Sequence, residues 1–188
     1  MLIMPNYYIP KEHFKIVKSK EIEPYIYNSD KETGVLVALI WLTGLRIGDT
    51  LRLEKSNIHI NENLRDVVVT IKASKGGTYA NPSFSFDDRF VPNLILPHFR
   101  LLDEGKVFTK GKRRFQQILL KLNKKFHGNE TSRYITFHYL RHSRITHLAR
   151  NLHAFPEEIK AWTGHRTSQF EEYIAPRKVE RFKGRLDE

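Results

Sequence analysis

The apolar residues of the N-terminal quarter change from an irregular to a continuous pattern. Residues 1–30 show no clear period and contain three prolines, so we expect an extended lead-in with room for one short helix. The stretch SDKETGVLVALIWLTG, residues 29–44, then contains an unbroken apolar run. A continuous run of this kind is typical of a helix buried on all sides. Ser29 or Asp30 is the expected N-cap and Gly44 the expected end of that helix.

The period changes to a strand-like one near residue 57. NIHI at 57–60 and DVVVTIKAS at 66–74 predict two strands, since β-branched residues dominate the second. Residues 61–63 and 75–77 have the composition of tight turns. Residues 78–92 are expected to hold one more strand and a long loop.

The rest of the chain predicts helices. Their expected ranges are 45–53, 93–104 with a kink or restart at Pro97, 111–126, 137–152, 156–164 and 166–173. In the helix at 111–126, an apolar stripe of Phe115, Ile118, Leu119 and Leu122 lies opposite a basic face. The predicted fold class is therefore mixed α+β, mostly helical, with a small antiparallel β-sheet.

The amino-acid composition limits the classes of function that are open to this chain. The 188 residues include 32 Lys and Arg against 21 Asp and Glu, for a net charge of +11 and a pI near 9.8. A domain this basic usually binds a polyanion, and nucleic acid is the first candidate. The absence of cysteine excludes a disulfide scaffold, a cysteine-ligated zinc site and a thiol nucleophile. No apolar run approaches the ~18–20 residues of a membrane span, and the first residues do not have the pattern of a signal peptide.

The motif HYLRH at 138–142 is the first candidate for chemistry. Its two histidines lie four residues apart, which places them on one face of a helix, where they suit either a metal ion or a phosphate. A zinc peptidase helix reads H-E-x-x-H, but Tyr139 replaces that glutamate here and Arg141 adds a permanent cation. The motif therefore favours a phosphate ligand, and we expect no metal.

Four stretches occur in a specific order: TGLRIGDTLRL at 43–53, IKASKGG at 71–77, HYLRH at 138–142 and TGHRTSQFEEY at 163–173. Together they resemble the catalytic domain of the tyrosine recombinases, or phage-type integrases. The resemblance covers roughly residues 30–180. It implies a tyrosine recombinase catalytic domain over 31–188, preceded by a lead-in segment at 1–30, with the family's usual N-terminal core-binding domain absent.

The resemblance also implies a set of catalytic residues. They are Arg46, Lys75, His138, Arg141, His165 and Tyr173, with Tyr173 as the nucleophile and with Asp49 and His142 as supporting residues. Lys75 corresponds to the family's general-acid lysine in a β-hairpin turn, and Lys72 is the alternative. Thr163 stands where the family usually has leucine.

The chemistry of phosphodiester attack requires these residue types. Negative charge spreads over the phosphoryl oxygens, and planar, permanently charged arginines stabilise it better than lysines. A tyrosine with an unperturbed pKa of ~10 is ionised in about one molecule per thousand at pH 7, so it needs a base or a cationic environment. His138 is the candidate base, and a hairpin lysine is the candidate proton donor to the leaving 5′ oxygen.

The implied activity is site-specific recombination or integration of duplex DNA through a 3′-phosphotyrosyl intermediate, without a cofactor. Family members self-associate on DNA, so a dimer or tetramer is expected, inside the cell and on DNA, in a mobile element or in viral genome integration. Two alternatives stay open. One is a DNA-relaxing enzyme of the type IB topoisomerase kind. The other is an inactive DNA-binding regulator, because His165 and Tyr173 are eight positions apart, one fewer than is usual in the family.

Overall fold

The fold is built around one buried helix. The computed structural model describes residues 17–74 and 77–164. Its α-helices are α1 Ser19–Tyr27, α2 Lys31–Thr43, α3 Ile47–Thr50, α4 Leu96–Arg100, α5 Lys112–His127, α6 Phe137–Arg150 and α7 Pro156–Thr163. The predicted helix at 166–173 lies outside the described residues.

Helix α2 forms the centre of the core, as its apolar run predicts. Residues 35–40 are all fully buried, because α1 and α6 both pack against this helix. Asp30 is the N-cap, and its Oδ1 accepts a hydrogen bond from the Thr33 amide at 3.2 Å. Gly44 ends the helix in the left-handed conformation, with φ of 68°. Both predicted ends of this helix are therefore confirmed.

Two small antiparallel sheets follow α3. The strands are β1 Ile58–Asn61, β2 Asp66–Val69, β3 Ile71–Lys72, β4 Tyr79–Ala80 and β5 Ser83–Ser85. The larger sheet has the order β1-β2-β5, and β3 pairs with β4 in a separate hairpin. The prediction of one continuous strand at 66–74 is therefore wrong. The chain leaves the larger sheet at Thr70, whose amide donates to the Asn57 carbonyl at 2.9 Å, and the hairpin packs against α7 instead.

The helix expected at 93–104 begins as a wide π-helical turn, Val91–Ile95, and continues as α4. Pro97 lies in the first turn of α4, directly after the change from the π-helical to the α-helical form. This is the restart that the proline predicts.

The C-terminal part of the described chain adds a second, smaller core. Helix α6 packs against both α2 and α7, and Ile145, Leu148 and Ile159 are buried between α6 and α7. Within residues 17–74 and 77–164, no helix combines the length and apolarity that crossing a bilayer requires. The ends of α2 and α7 meet beside α6, and the predicted site residues Arg46 and Arg141 lie at this junction.

Candidate active site

Gly44 brings three helices together at the start of the site. A Cβ atom there would lie 3.2 Å from the Cβ of Arg144 in α6 and 3.4 Å from the Cγ2 of Thr163 in α7. Only glycine combines this close approach with a positive φ at no cost. Two residues after Gly44, Arg46 is the N-cap of α3, and its side chain reaches the end of α7.

Arg141 lies inside this junction. Its side chain is almost fully buried, and Nη1 donates to the Gly44 carbonyl at 2.5 Å and to the Thr163 carbonyl at 3.1 Å. Burial, together with the nearby Arg46 cation, lowers the pKa of Arg141 to about 9, and the Asp49 carboxylate opposes that change. A pKa in that range leaves the guanidinium charged at neutral pH. Arg141 is therefore a buried cation that ties α6 to the ends of α2 and α7.

Arg46 is anchored to the same end of α7. Its Nη1 donates to the Gly164 carbonyl at 3.1 Å, while a quarter of its side chain remains exposed. The carbonyls of the two consecutive residues Thr163 and Gly164 thus bind the two guanidiniums. Carbonyls at a helix C-terminus lack intrahelical partners and carry partial negative charge, so they suit cationic donors. The end of α7 consequently holds both arginines close together.

Asp49 braces the arginine pair from α3. Its side chain is buried, and Oδ1 accepts hydrogen bonds from Arg52 Nη2 at 2.7 Å and from the Ser74 amide at 3.0 Å. Oδ2 lies 4.0 Å from Arg46 Nη1 and has no hydrogen-bond partner among the described residues. Burial alone would raise the pKa of Asp49, but the hydrogen bonds from Arg52 and Ser74 outweigh it and leave the pKa below its usual value. Asp49 is therefore a carboxylate.

The two histidines of HYLRH contact each other on the exposed side of α6. His138 Nε2 and His142 Nε2 are 2.8 Å apart, with the rings nearly perpendicular at 76°. One ring must donate an N–H to the other, so the two facing nitrogens share one proton. Desolvation by the surrounding protein, and then the cations Arg141 and Arg46, lower the pKa of His138. A neutral His138 beside two arginines can accept a proton at physiological pH.

The β3–β4 hairpin, called the lysine hairpin below because it carries Lys72 and leads to Lys75, also contacts the C-terminal end of α7. A Cβ added to Gly164 would lie 2.8 Å from the Ala73 Cβ and 3.3 Å from the Ala80 Cβ, so the hairpin and the helix end are in direct contact. The exposed Lys72 ends β3. Lys75 follows Ser74 in the chain and itself lies outside the described residues.

The structure thus brings together Arg46, Asp49, His138, Arg141 and His142. His165 and Tyr173, like Lys75, are outside the described residues. Sequence reasoning missed Arg52, although its position three residues after Asp49 in the helix predicted at 45–53 is a signal for an ion pair. No group of three or more potential metal-ligating side chains occurs in the part of the chain that the structure describes.

Solved structures of a site-specific recombinase and of two integrases share this fold. The XerH site-specific recombinase, bound to a palindromic difH substrate after cleavage, superposes with a TM-score of 0.64 at 16% identity, over 93% of this chain and 54% of that one. The catalytic domain of bacteriophage HP1 integrase superposes with a TM-score of 0.54 at 18% identity, over 87% of this chain and 86% of that one. The Tn1549 transposon integrase, in complex with a circular intermediate DNA, superposes with a TM-score of 0.58 at 15% identity, over 89% of this chain and 66% of that one.

The chain therefore has the fold of tyrosine recombinase catalytic domains, as its motifs predict. It spans about half the length of the XerH chains, 54% in one complex and 49% in another. No protein-family model and no curated protein matches the sequence.

Proposed function

We propose that this chain is the catalytic domain of a tyrosine recombinase that cleaves and rejoins duplex DNA at specific sites. The observation that carries the proposal is that Arg46 and Arg141 meet at the C-terminal end of α7, with His138 close enough to both for their charges to lower its pKa. Two guanidiniums next to a neutral imidazole suit a phosphodiester, because they supply both charge stabilisation and a proton acceptor.

The proposed reaction is a transfer of the phosphoryl group between oxygens. The Tyr173 oxygen attacks the phosphorus and forms a P–O bond, the P–O5′ bond breaks, and the product is a 3′-phosphotyrosyl protein with a free 5′ hydroxyl. His138 accepts the tyrosine proton, and a hairpin lysine, Lys75 or Lys72, supplies a proton to the leaving oxygen. Arg46 and Arg141, with His165, stabilise the charge on the phosphoryl oxygens. Attack by a 5′ hydroxyl on the phosphotyrosine rejoins the DNA.

The proposed partner is double-stranded DNA, with two or four copies of the chain assembled on it. The net charge of +11 supports DNA binding through phosphate contacts. The similar XerH structures are complexes with difH substrate before and after cleavage, which supports the same kind of ligand here. A DNA substrate places the protein with DNA inside the cell, where this chemistry can serve the integration of a mobile element or a viral genome, or the resolution of plasmids or chromosomes.

A nicked duplex tests the proposal directly. The nick lies a few nucleotides 3′ of the scissile phosphate, so the short 5′-hydroxyl fragment is lost after cleavage and rejoining is prevented. Because the recognition sequence is unknown, a library of such duplexes with randomised sequence is used, labelled on the strand that stays attached. We expect a protease-sensitive labelled band of reduced mobility on a denaturing gel. The matched control is an intact duplex library, from which rejoining removes most of the adduct.

The same assay separates the alternatives. Binding in a native gel without any adduct would favour an inactive DNA-binding regulator, which the eight-position spacing between His165 and Tyr173 supports. An adduct together with relaxation of supercoiled plasmid, independent of sequence, would favour the topoisomerase-like activity.

The pH dependence of adduct formation tests the role of His138. Because desolvation and the two cations disfavour the protonated ring, the pKa of His138 lies below its ordinary value of ~6.5. The rate should therefore be constant near neutral pH and fall only as the pH drops through that lowered pKa. Single-turnover rates between pH 5 and 8 measure this acidic limb, and His138→Gln should remove it. A limb centred above pH ~6.5, or one that His138→Gln leaves in place, would assign the base elsewhere.

A further inference from the structure

The β3–β4 hairpin depends on its neighbours for its position. Each strand has only two residues, and an isolated two-stranded hairpin is at best marginally stable in water. One anchor is at α7, where the Asn81 amide donates to the Ala161 carbonyl at 2.8 Å and Gly164 packs against Ala73. These contacts attach β4 and Ala73 to the end of α7, and a second set of contacts attaches the neighbouring backbone of Lys72 and Ser74 to the segment around α3.

Arg52 provides that second anchor. Its Nη2 donates to Asp49 Oδ1 at 2.7 Å and to the Lys72 carbonyl at 2.9 Å. Two residues further along the chain, the Ser74 amide donates directly to Asp49 Oδ1 at 3.0 Å. Residues 72–74 are therefore attached at both ends to one buried carboxylate, once directly and once through Arg52.

The chemistry of this arrangement requires arginine. A single Nη nitrogen of a guanidinium carries two hydrogens in a fixed plane, so it can reach a carboxylate and a carbonyl simultaneously. The Asp49 carboxylate is only 1% exposed, whereas the Arg52 side chain is 50% exposed. The buried carboxylate therefore fixes the guanidinium, and the guanidinium fixes the Lys72 backbone. Lysine and glutamine have shorter side chains, and glutamine is also uncharged, so neither places a donor at the same point between the Asp49 carboxylate and the Lys72 carbonyl.

We propose that Arg52 is a positioning residue for the general acid: it holds residues 72–74 so that the hairpin's lysine can protonate the leaving 5′ oxygen. This proposal rests on the proposed function. It connects α3, which supplies Arg46, with the hairpin, which supplies the proton donor. Arg52 touches neither substrate nor reacting atoms, and its effect is confined to the protonation step.

A leaving-group substitution isolates that step. In a duplex whose 5′-bridging oxygen is replaced by sulfur, the leaving group is a thiolate, which is stable near neutral pH because thiols have pKa values of ~8.5 and so need no proton donor. Arg52→Gln should slow adduct formation on the normal oxygen substrate at least about tenfold, since general acid catalysis typically contributes ~10²–10⁴. On the sulfur substrate the loss should be less than about threefold. Arg52→Lys should show the same selective loss, reduced in size.

Arg100→Gln is the matched control. Arg100 is also 50% exposed and also pairs with a carboxylate at 2.7 Å, but that carboxylate belongs to Glu62, and the guanidinium lies over the Phe86 ring. We expect it to react like the wild type on both substrates. Thermal unfolding of each variant confirms that it is folded, and Arg52→Lys serves as the test if Arg52→Gln does not fold.

The outcomes are distinguishable. If the wild type reacts and the Arg52 variants lose the same factor on both substrates, Arg52 acts through binding or folding and the inference is overturned, while the proposed function stands. If the wild type forms no adduct with either substrate, the proposed function fails and the inference fails with it.

Discussion

Replacing Tyr173 with phenylalanine is expected to abolish the covalent protein–DNA adduct. Phenylalanine differs from tyrosine only by the missing hydroxyl, so the nucleophile is lost and the aromatic ring is kept. Binding to duplex DNA should persist, because it depends on phosphate contacts made by cations such as Arg46. The measurement is the nicked-duplex assay on a denaturing gel, with a native gel on the same samples.

Tyr27→Phe is the appropriate control for this variant. Tyr27 ends α1 and is 74% exposed, so its hydroxyl should matter neither to the core nor to the reaction. An adduct that survives in Tyr173→Phe would show that another residue is the nucleophile, and sequencing the DNA-linked peptide would identify it. In that case the one-residue difference in the spacing from His165 would reflect a different chemistry.

Arg141→Ala is expected to have the second-largest effect, on both rate and stability. Removal of one donor to a transition-state oxyanion typically costs ~10²–10³ in rate. The variant also leaves the carbonyls of Gly44 and Thr163 without this donor inside the junction. A buried polar group that loses its partner typically costs ~1–3 kcal/mol. We therefore expect a markedly lower free energy of unfolding in urea, alongside slower single-turnover adduct formation.

Two further variants separate the effect of Arg141 on the reaction rate from its effect on stability. Arg141→Lys retains a charge but not the planar fork, so it should recover part of the stability and little of the rate. Arg133→Ala removes an arginine that is 66% exposed and paired with Glu130 on the surface, and such a pair is worth at most ~1 kcal/mol. If folded Arg141→Ala reacts within about tenfold of the wild type, then Arg141 serves only to hold α6 to the ends of α2 and α7.

Local signals in the sequence were sufficient to predict the core helix and to select Arg46 and Arg141 as candidate site residues. The N-cap at Asp30 and the left-handed glycine at 44 act within a few residues of themselves, so the ends of α2 are predictable from its own sequence. Arg46 and Arg141 stand in compact motifs whose order along the chain is distinctive. These are the parts of the site that need no knowledge of long-range packing.

Long-range contacts explain what the sequence could not predict. The division of the strand at Thr70 depends on where the hairpin finds a surface, and that surface is the end of α7, far away in sequence. The roles of Arg52 and of the Gly44 carbonyl likewise arise from backbone atoms brought together by folding. Backbone acceptors have no side-chain signature, so neither composition nor periodicity can point to them.

The attachment of both arginines to main-chain oxygens at the end of α7 has an evolutionary consequence. Any residue type supplies the same carbonyl, so substitution at position 163 leaves the acceptor for Arg141 in place, and threonine can stand where the tyrosine recombinases usually have leucine. Gly164 is different, because its packing against Ala73 and Ala80 admits no side chain. A centre assembled in this way can diverge widely in sequence while the relative placement of its charges is preserved.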